Sequence, residues 1–166
     1  MDGWLRIFTD GSVDFPSDFR LARAGAGVFL GTSHPYNTSA PVHGKGITSF
    51  RAELQAVRML IEGTQAWGIM VWITLDSEAV VGQLNELISN GPGKPRNDNA
   101  DIWRAIEPLV CEAAGRGQIR VTWTKGHATE EHIAAGRSTP EEKRRNDEVD
   151  LLADKGREEH IGAEWS

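Results

Sequence analysis

The sequence has almost no cysteine. Cys111 is the single one among 166 residues, which excludes an intramolecular disulfide framework and a cysteine-built zinc site. Long hydrophobic runs are missing as well: no apolar stretch approaches the ~20 residues of a membrane span. The opening MDGWLRIFTDG lacks a basic segment followed by an apolar one. No signal peptide is therefore expected, and an intracellular setting, cytoplasmic or nuclear, is. An excess of positive charge is also absent. Lys and Arg number 18 against 24 Asp and Glu, a formal net charge of −6, which argues against binding nucleic acid through a broad basic face. It leaves room for local basic patches and for acids that recruit cations. There is no internal repeat, low-complexity tract or interdomain linker.

What is there is a globular composition, 39% hydrophobic and 25% charged, in a chain long enough to bury a core without staples. Residues 1–166 are read as one domain. Apolar and β-branched runs predict strands at about 4–9, 25–30, 41–47, 70–75 and 118–124. Helical periodicity predicts helices at about 50–62, 77–89, 101–114 and 141–156, with polar loops over 89–99 and 125–142. Strands lead, and strand–helix alternation follows. That order predicts an α/β fold whose mixed sheet opens antiparallel and gains parallel strands through helical crossovers. Ligands in such sheets sit outside the carboxyl ends of the parallel strands.

If the first and fourth strands are parallel neighbours, Asp10 and Asp76 project from that edge, and other acids are candidates to join them. Asp10 follows the first strand, beside Gly11 and Ser12, where an Asp is often only a turn-former. Asp76 ends the fourth predicted strand, where the bland role is a helix N-cap. Glu53 shares a helical stripe with Val57 and Leu60, a packing face on which a glutamate is disfavoured unless paired or bound to a cation. Asp150 lies on one face with Asn146, Val149 and Ala153, while Asp147 and Asp154 lie on another; periodicity alone does not choose among these acids. Carboxylates gathered at one sheet edge repel unless cations fill the gap, and hard divalent ions take oxygen ligands. Two such ions about 4 Å apart stabilise the attacking and leaving oxygens of an in-line phosphoryl displacement.

The segments FTDGS (8–12), RAEL (51–54), LDSEAVV (75–81), TKGH (124–127) and NDEVDLLA (146–153) occur here in order. In this the chain resembles type 1 ribonuclease H over roughly residues 4–157. The resemblance implies a ribonuclease H-like fold with a five-stranded mixed sheet and helices packed on it. It implies a site of Asp10, Glu53, Asp76 and Asp150 holding two Mg²⁺ ions, with Mn²⁺ as a substitute. It implies endonucleolytic cleavage of the RNA strand of RNA/DNA hybrids to 5′-phosphate and 3′-hydroxyl ends. His127 matches a loop histidine that assists proton transfer or product release. Glu53, Ser77 and the main chain at Gly11 and Ser12 would read 2′-hydroxyls, as discrimination of RNA from DNA requires. Thr48 and Ser49 would stand at a DNA-phosphate grip, supported by Asn97 or Asn99. The partner implied is the hybrid, with no membrane, and a monomer that could be a domain of a larger retroelement protein.

The chain departs from the family pattern in four places. Ser49 and Phe50 replace two Asn that many relatives carry after the Thr. Glu78 stands where Gln is frequent, adding negative charge near the substrate. Segment 89–100 is short and lacks a basic protrusion, which would leave hybrid affinity more dependent on Lys94 and Arg96. The stretches over 12–28 and between His127 and Asn146 are longer than in compact bacterial forms, as in retroelement domains. Lys45, Arg51, Arg137 and the 143–145 cluster are phosphate contacts or simply solvated. Trp4, Trp72, Trp103 and Trp123 are read as core, and His34, His43, His132 and His160 as surface residues. Two other readings stay open: a nuclease of the same fold with a different substrate, and a hybrid-binding module without turnover.

Overall fold

The computed structural model describes residues 3–14, 22–44, 47–93 and 96–165, with side chains up to residue 159. Residues 15–21 of the longer first connection, Lys45, Lys94 and the side chains of His160 and Trp165 lie outside the described residues. The chain forms β1 (Trp4–Asp14), β2 (Arg23–Phe29), β3 (Thr38–Pro41), α1 (Ser49–Thr64), a 3-10 turn (Gln65–Trp67) and β4 (Met70–Leu75). It continues through α2 (Glu78–Asn90), α3 (Ala100–Gly115), β5 (Ile119–Trp123), α4 (Glu130–Ala134) and α5 (Pro140–Trp165). The five strands make one sheet in the order β3-β2-β1-β4-β5. Pairs β1/β2 and β2/β3 are antiparallel, and β1/β4 and β4/β5 are parallel. This is the mixed α/β sheet the element order predicts.

Two boundaries differ from the sequence reading, and both matter for the site. The first strand was expected to stop at Thr9, where Gly11 and Ser12 read as a turn. Instead β1 runs on to Asp14, pairing Asp10 with Gly27 and Asp14 with Arg23. Its parallel partner stops opposite Phe8, so Asp10 stands in a strand just beyond the end of β4. The third strand was expected over 41–47 but is Thr38–Pro41, with the Val42 amide adding one more bond to Ala24 O at 2.9 Å. It is an edge strand, where polar residues and a proline are tolerated, and its Ser39 hydroxyl is tied to Leu152 O at 2.5 Å. Polarity at an edge hides a strand from any reading based on hydrophobic alternation.

The main core lies between the sheet and α1, α2 and α3. Leu54, Val57 and Leu60 of α1, Leu84 of α2 and Ile106 of α3 close over Ile7 and Ile73, all of them buried. Thr48 caps α1 by accepting the Arg51 amide at 3.1 Å, and Ser77 caps α2 by accepting Val80 N at 3.3 Å. With the cap supplied by Ser77, Asp76 is not needed for it. On the opposite face α5 packs across β1, β2 and β3, and its approach to β2 is so close that a Cβ on Gly25 would collide with the backbone of Ala153 and Arg157.

Arg51 ties the site end of α1 to its surroundings. Its side chain, 9% exposed, donates to both Asp101 carboxylate oxygens at 3.0 and 2.7 Å, to His43 O at 3.2 Å and to Asn99 Oδ1 at 3.3 Å. It is therefore a structural tie, not a solvated or phosphate-facing cation. These hydrogen bonds hold the Asp101 carboxyl down at about 2. A depressed acid stabilises the fold above its unfolded value near 4, and that stabilisation is lost as pH falls toward 2. Arg51→Ala is expected to destabilise the fold by about 2 kcal/mol. In urea melts the gap from the parent chain should narrow between pH 4 and pH 2.

Candidate active site

Four elements converge at the carboxyl edge of the parallel strands. Asp10 comes from β1, Glu53 from the first turns of α1, Asp76 from the bend after β4 and Asp150 from α5. They line one open cleft of about 560 Å³ together with Gly11, Ser49, Glu78, Lys125 and His127. Carboxylate oxygens of Asp10, Glu53 and Asp76 all lie within 4.8 Å of one another. Asp10 and Glu53 are 2% and 6% exposed.

Burial is the main reason both carboxyls titrate well above the ordinary range. For Asp10 the charges of Glu53 and Asp76, and the hydrogen bonds its protonated form donates to Glu53 and Asp150, add to the effect. For Glu53, the hydrogen bonds with Asp10 and the Gly11 amide pull the other way, and the charge of Asp76 pushes up. Glu53 Oε2 is buried with no partner among the described residues. An unpaired carboxylate oxygen held against two more acids is costly alone and is satisfied by a cation. The donor set is all oxygen, which fits a hard divalent ion.

Asp76 is held from three sides. Trp123 Nε1 donates to its main-chain oxygen at 3.1 Å, and Asn146 Nδ2 donates to Oδ2 at 3.3 Å. Gly126 lies so near that a Cβ there would sit 2.6 Å from Oδ2. Trp123 was expected in the core but is 38% exposed at the cleft rim. Strand alternation hid this, because Trp123 is the last residue of β5 and stands where the strand ends at the cleft. Trp103, by contrast, is core at 2% exposure, and Trp4 and Trp72 are half-buried. Asn146 was legible only as a neighbour of Asp150 on the helix face; one turn before a candidate acid was the available signal.

His127 is exposed on the rim with φ of 48°, in the left-handed region that β-carbon-bearing residues seldom adopt. His132, read as a surface residue, is partly exposed and caps α4 by accepting the Thr129 amide at 2.9 Å. Among the proposed substrate residues, Gly11 and Ser49 line the cleft, and Ser77 follows Asp76 as the α2 cap. The Ser12 side chain is turned away: it donates to Asp154 Oδ1 at 2.5 Å and accepts from Arg157 at 2.8 Å. Thr48, Asn97 and Asn99 line a second groove of about 790 Å³ with Phe50, Arg96 and Trp103. Arg96 is engaged there by Gln83 at 2.6 Å and Glu107 at 3.3 Å, its guanidinium 4.0 Å from the Trp103 ring centre. In the 143–145 cluster, Lys143 pairs with Asp147 and Arg145 with Glu141.

The RNase H family model matches residues 3–158. This chain belongs to the RNase H family. A ribonuclease H of Schizosaccharomyces pombe (strain 972 / ATCC 24843) is 28% identical over 134 residues, covering 75% of this chain and 47% of that protein. The chain thus spans about half the length of the curated relative it matches. Among solved structures, the native Prototype Foamy Virus protease-reverse transcriptase is 24% identical with a TM-score of 0.63, covering 91% of this chain and 20% of that one. LC11-RNase H1, solved in complex with an RNA/DNA hybrid, is 15% identical with a TM-score of 0.59, covering 93% and 96%. At these identities the solved structures establish the RNase H fold.

Proposed function

We propose that this RNase H chain cuts the RNA strand of RNA/DNA hybrids internally, leaving 5′-phosphate and 3′-hydroxyl ends. The observation that carries the reading is the set of three carboxylates within 4.8 Å, one with a buried unpartnered oxygen, at the strand edge. Asp10, Glu53, Asp76 and Asp150 would hold two Mg²⁺ ions, or Mn²⁺ in their place. Divalent cations supply an activated water and charge stabilisation at the departing oxygen when bound.

The chain's own residues do the rest. Asp10 and Glu53, fixed by a strand and a helix, keep the acids in place against their mutual repulsion. Trp123, Asn146 and Gly126 aim Asp76. His127 accepts the proton released as water attacks phosphorus, and passes it on as the products leave. Ser77 and the main chain at Gly11 and Ser12 meet ribose 2′-hydroxyls, while Thr48, supported by Asn97 or Asn99, meets a phosphate of the DNA strand. The family membership and the hybrid bound by LC11-RNase H1 support this choice of substrate.

Product ends test the chemistry. RNA fragments extended by a polymerase without prior phosphatase treatment have 3′-hydroxyls, as expected; fragments that need such treatment contradict the proposed displacement. Single-stranded RNA, duplex RNA and duplex DNA should stay intact alongside. Gly126→Ala places a methyl against Asp76 Oδ2, so kcat is expected to fall about tenfold or more with Tm within about 2 °C. Unchanged kcat would show that the Asp76 carboxylate need not sit where Gly126 lets it.

A further inference from the structure

The sheet face opposite α1–α3 is only partly covered, because α5 packs on β1, β2 and β3. Register sets Arg6, Trp72 and Arg120 side by side on β1, β4 and β5. The Arg6 guanidinium lies 4.1 Å from the Trp72 ring centre, and that of Arg120 lies 4.7 Å from Trp4 and 5.3 Å from Trp72. Trp72 Nε1 is fixed by a 2.7 Å bond to Thr122 Oγ1. Arg6 has an acid partner in Glu142 at 3.5 Å. Arg120 is exposed and has no acid partner among the described residues, in a chain where acids outnumber bases. Stacking on a ring orders a guanidinium while leaving its in-plane N–H donors available.

This row is on the same face of β1 as Asp10, since residues 6, 8 and 10 alternate alike. Four residues of strand separate them, about 13 Å, or roughly four stacked nucleotides at ~3.4 Å each. Between row and cleft, Phe8 and Thr74 are buried on this face, so the open way runs along β5 over half-buried Thr122, whose hydroxyl meets that of Thr74 at 3.1 Å. We infer that Trp4, Arg6, Trp72 and Arg120 form a second nucleic-acid contact, for a single-stranded segment continuing from a hybrid in the carboxylate cleft. The contact rests on the hybrid reading above. Arginine interleaved with tryptophan suits phosphates and unstacked bases together, whereas an acidic peptide would use only the cations.

The test uses the full chain carrying Asp10→Asn, so that bound RNA is not cut, and fluorescence anisotropy with Mg²⁺. The probes are a blunt hybrid, the same hybrid with an oligo(dT) tail of about ten nucleotides, and free oligo(dT). The tail is expected to tighten binding about fivefold. Adding Arg120→Glu should remove that gain and leave the blunt hybrid within about twofold; Arg120→Lys should restore part of it. No gain from the tail, a gain that survives Arg120→Glu, or equal losses for blunt and tailed probes would each overturn the contact. So would displacement of the tail by an oligoglutamate peptide at concentrations where oligo(dT) does not compete. Failure of the blunt hybrid to bind would overturn the hybrid reading instead; Arg120-dependent binding of free oligo(dT) would then still support the face, and its absence would overturn it.

Discussion

Asp10→Asn is expected to abolish cleavage and, in the same protein, to raise thermal stability. Asp10 is 2% exposed and packed against Glu53, Asp76 and Asp150. Its folded-state value lies far above that of an unfolded aspartate, near 4. The folded chain therefore keeps a proton that the unfolded chain releases, and stability without metal falls as pH rises from about 4 through neutrality. Between pH 4 and 7 one such group costs at most about 4 kcal/mol. A neutral amide of the same shape needs no proton to be buried among these acids, and so removes that cost. At pH 7 without metal, the variant should melt roughly 5–10 °C higher, a gain that shrinks toward pH 4. Mg²⁺ should raise Tm of the parent chain and leave the variant nearly unmoved. A variant that melts below its parent at pH 7 would mean that the carboxylates do not oppose one another as their positions imply.

The second large effect concerns the fold itself. Gly25→Ala is expected to destabilise the chain by about 3 kcal/mol or more, lowering Tm by roughly 10 °C. The new Cβ would meet backbone of α5 at Ala153 and Arg157, and backbone cannot step aside as a flexible side chain can. The same helix carries Asp150, so its displacement should cost activity as well. Gly63→Ala provides the control: it has open space at its Cβ and sits in the last turns of α1, where alanine favours helix. Loss of stability in the control alone would contradict the packing account.

How much of this the sequence disclosed follows from what each residue's signal depends on. Glu53 was legible because its stripe is local: Val57 and Leu60 are one and two turns away, and both are buried. Asp150 was less so: its place beside Val149 left Asp147 and Asp154 as alternatives, and the NDEVDLLA resemblance, not periodicity, selected it. Asp10 was harder, since Gly11 and Ser12 imitate a turn; what keeps β1 extended is Gly27 and Arg23 on a strand whose pairing no local pattern encodes. The β3 edge strand and the five-residue α4 carry too few apolar positions to register as periodic. Trp123 and Arg51 were misassigned for a related reason. A tryptophan in a strand and an arginine near an anion site have obvious local readings, and only the tertiary partners, Asp76 O for one and Asp101 for the other, replace them. The Ser12 hydroxyl is drawn to Asp154 and Arg157 across 142 and 145 residues of chain, which bears on its side chain and not on the main-chain contact expected there.

The proposed function makes these carboxylates a metal-dependent site for the RNA strand of a hybrid. The measurement that tests it most directly is cleavage of an end-labelled RNA/DNA hybrid by the parent chain and by Asp10→Asn, each with Mg²⁺ and with chelator. Internal cuts are expected in the RNA strand alone, and only for the parent chain with Mg²⁺. Cleavage that persists with chelator or in Asp10→Asn, or an uncut hybrid that the parent chain binds in Mg²⁺ and in Mn²⁺, would contradict it.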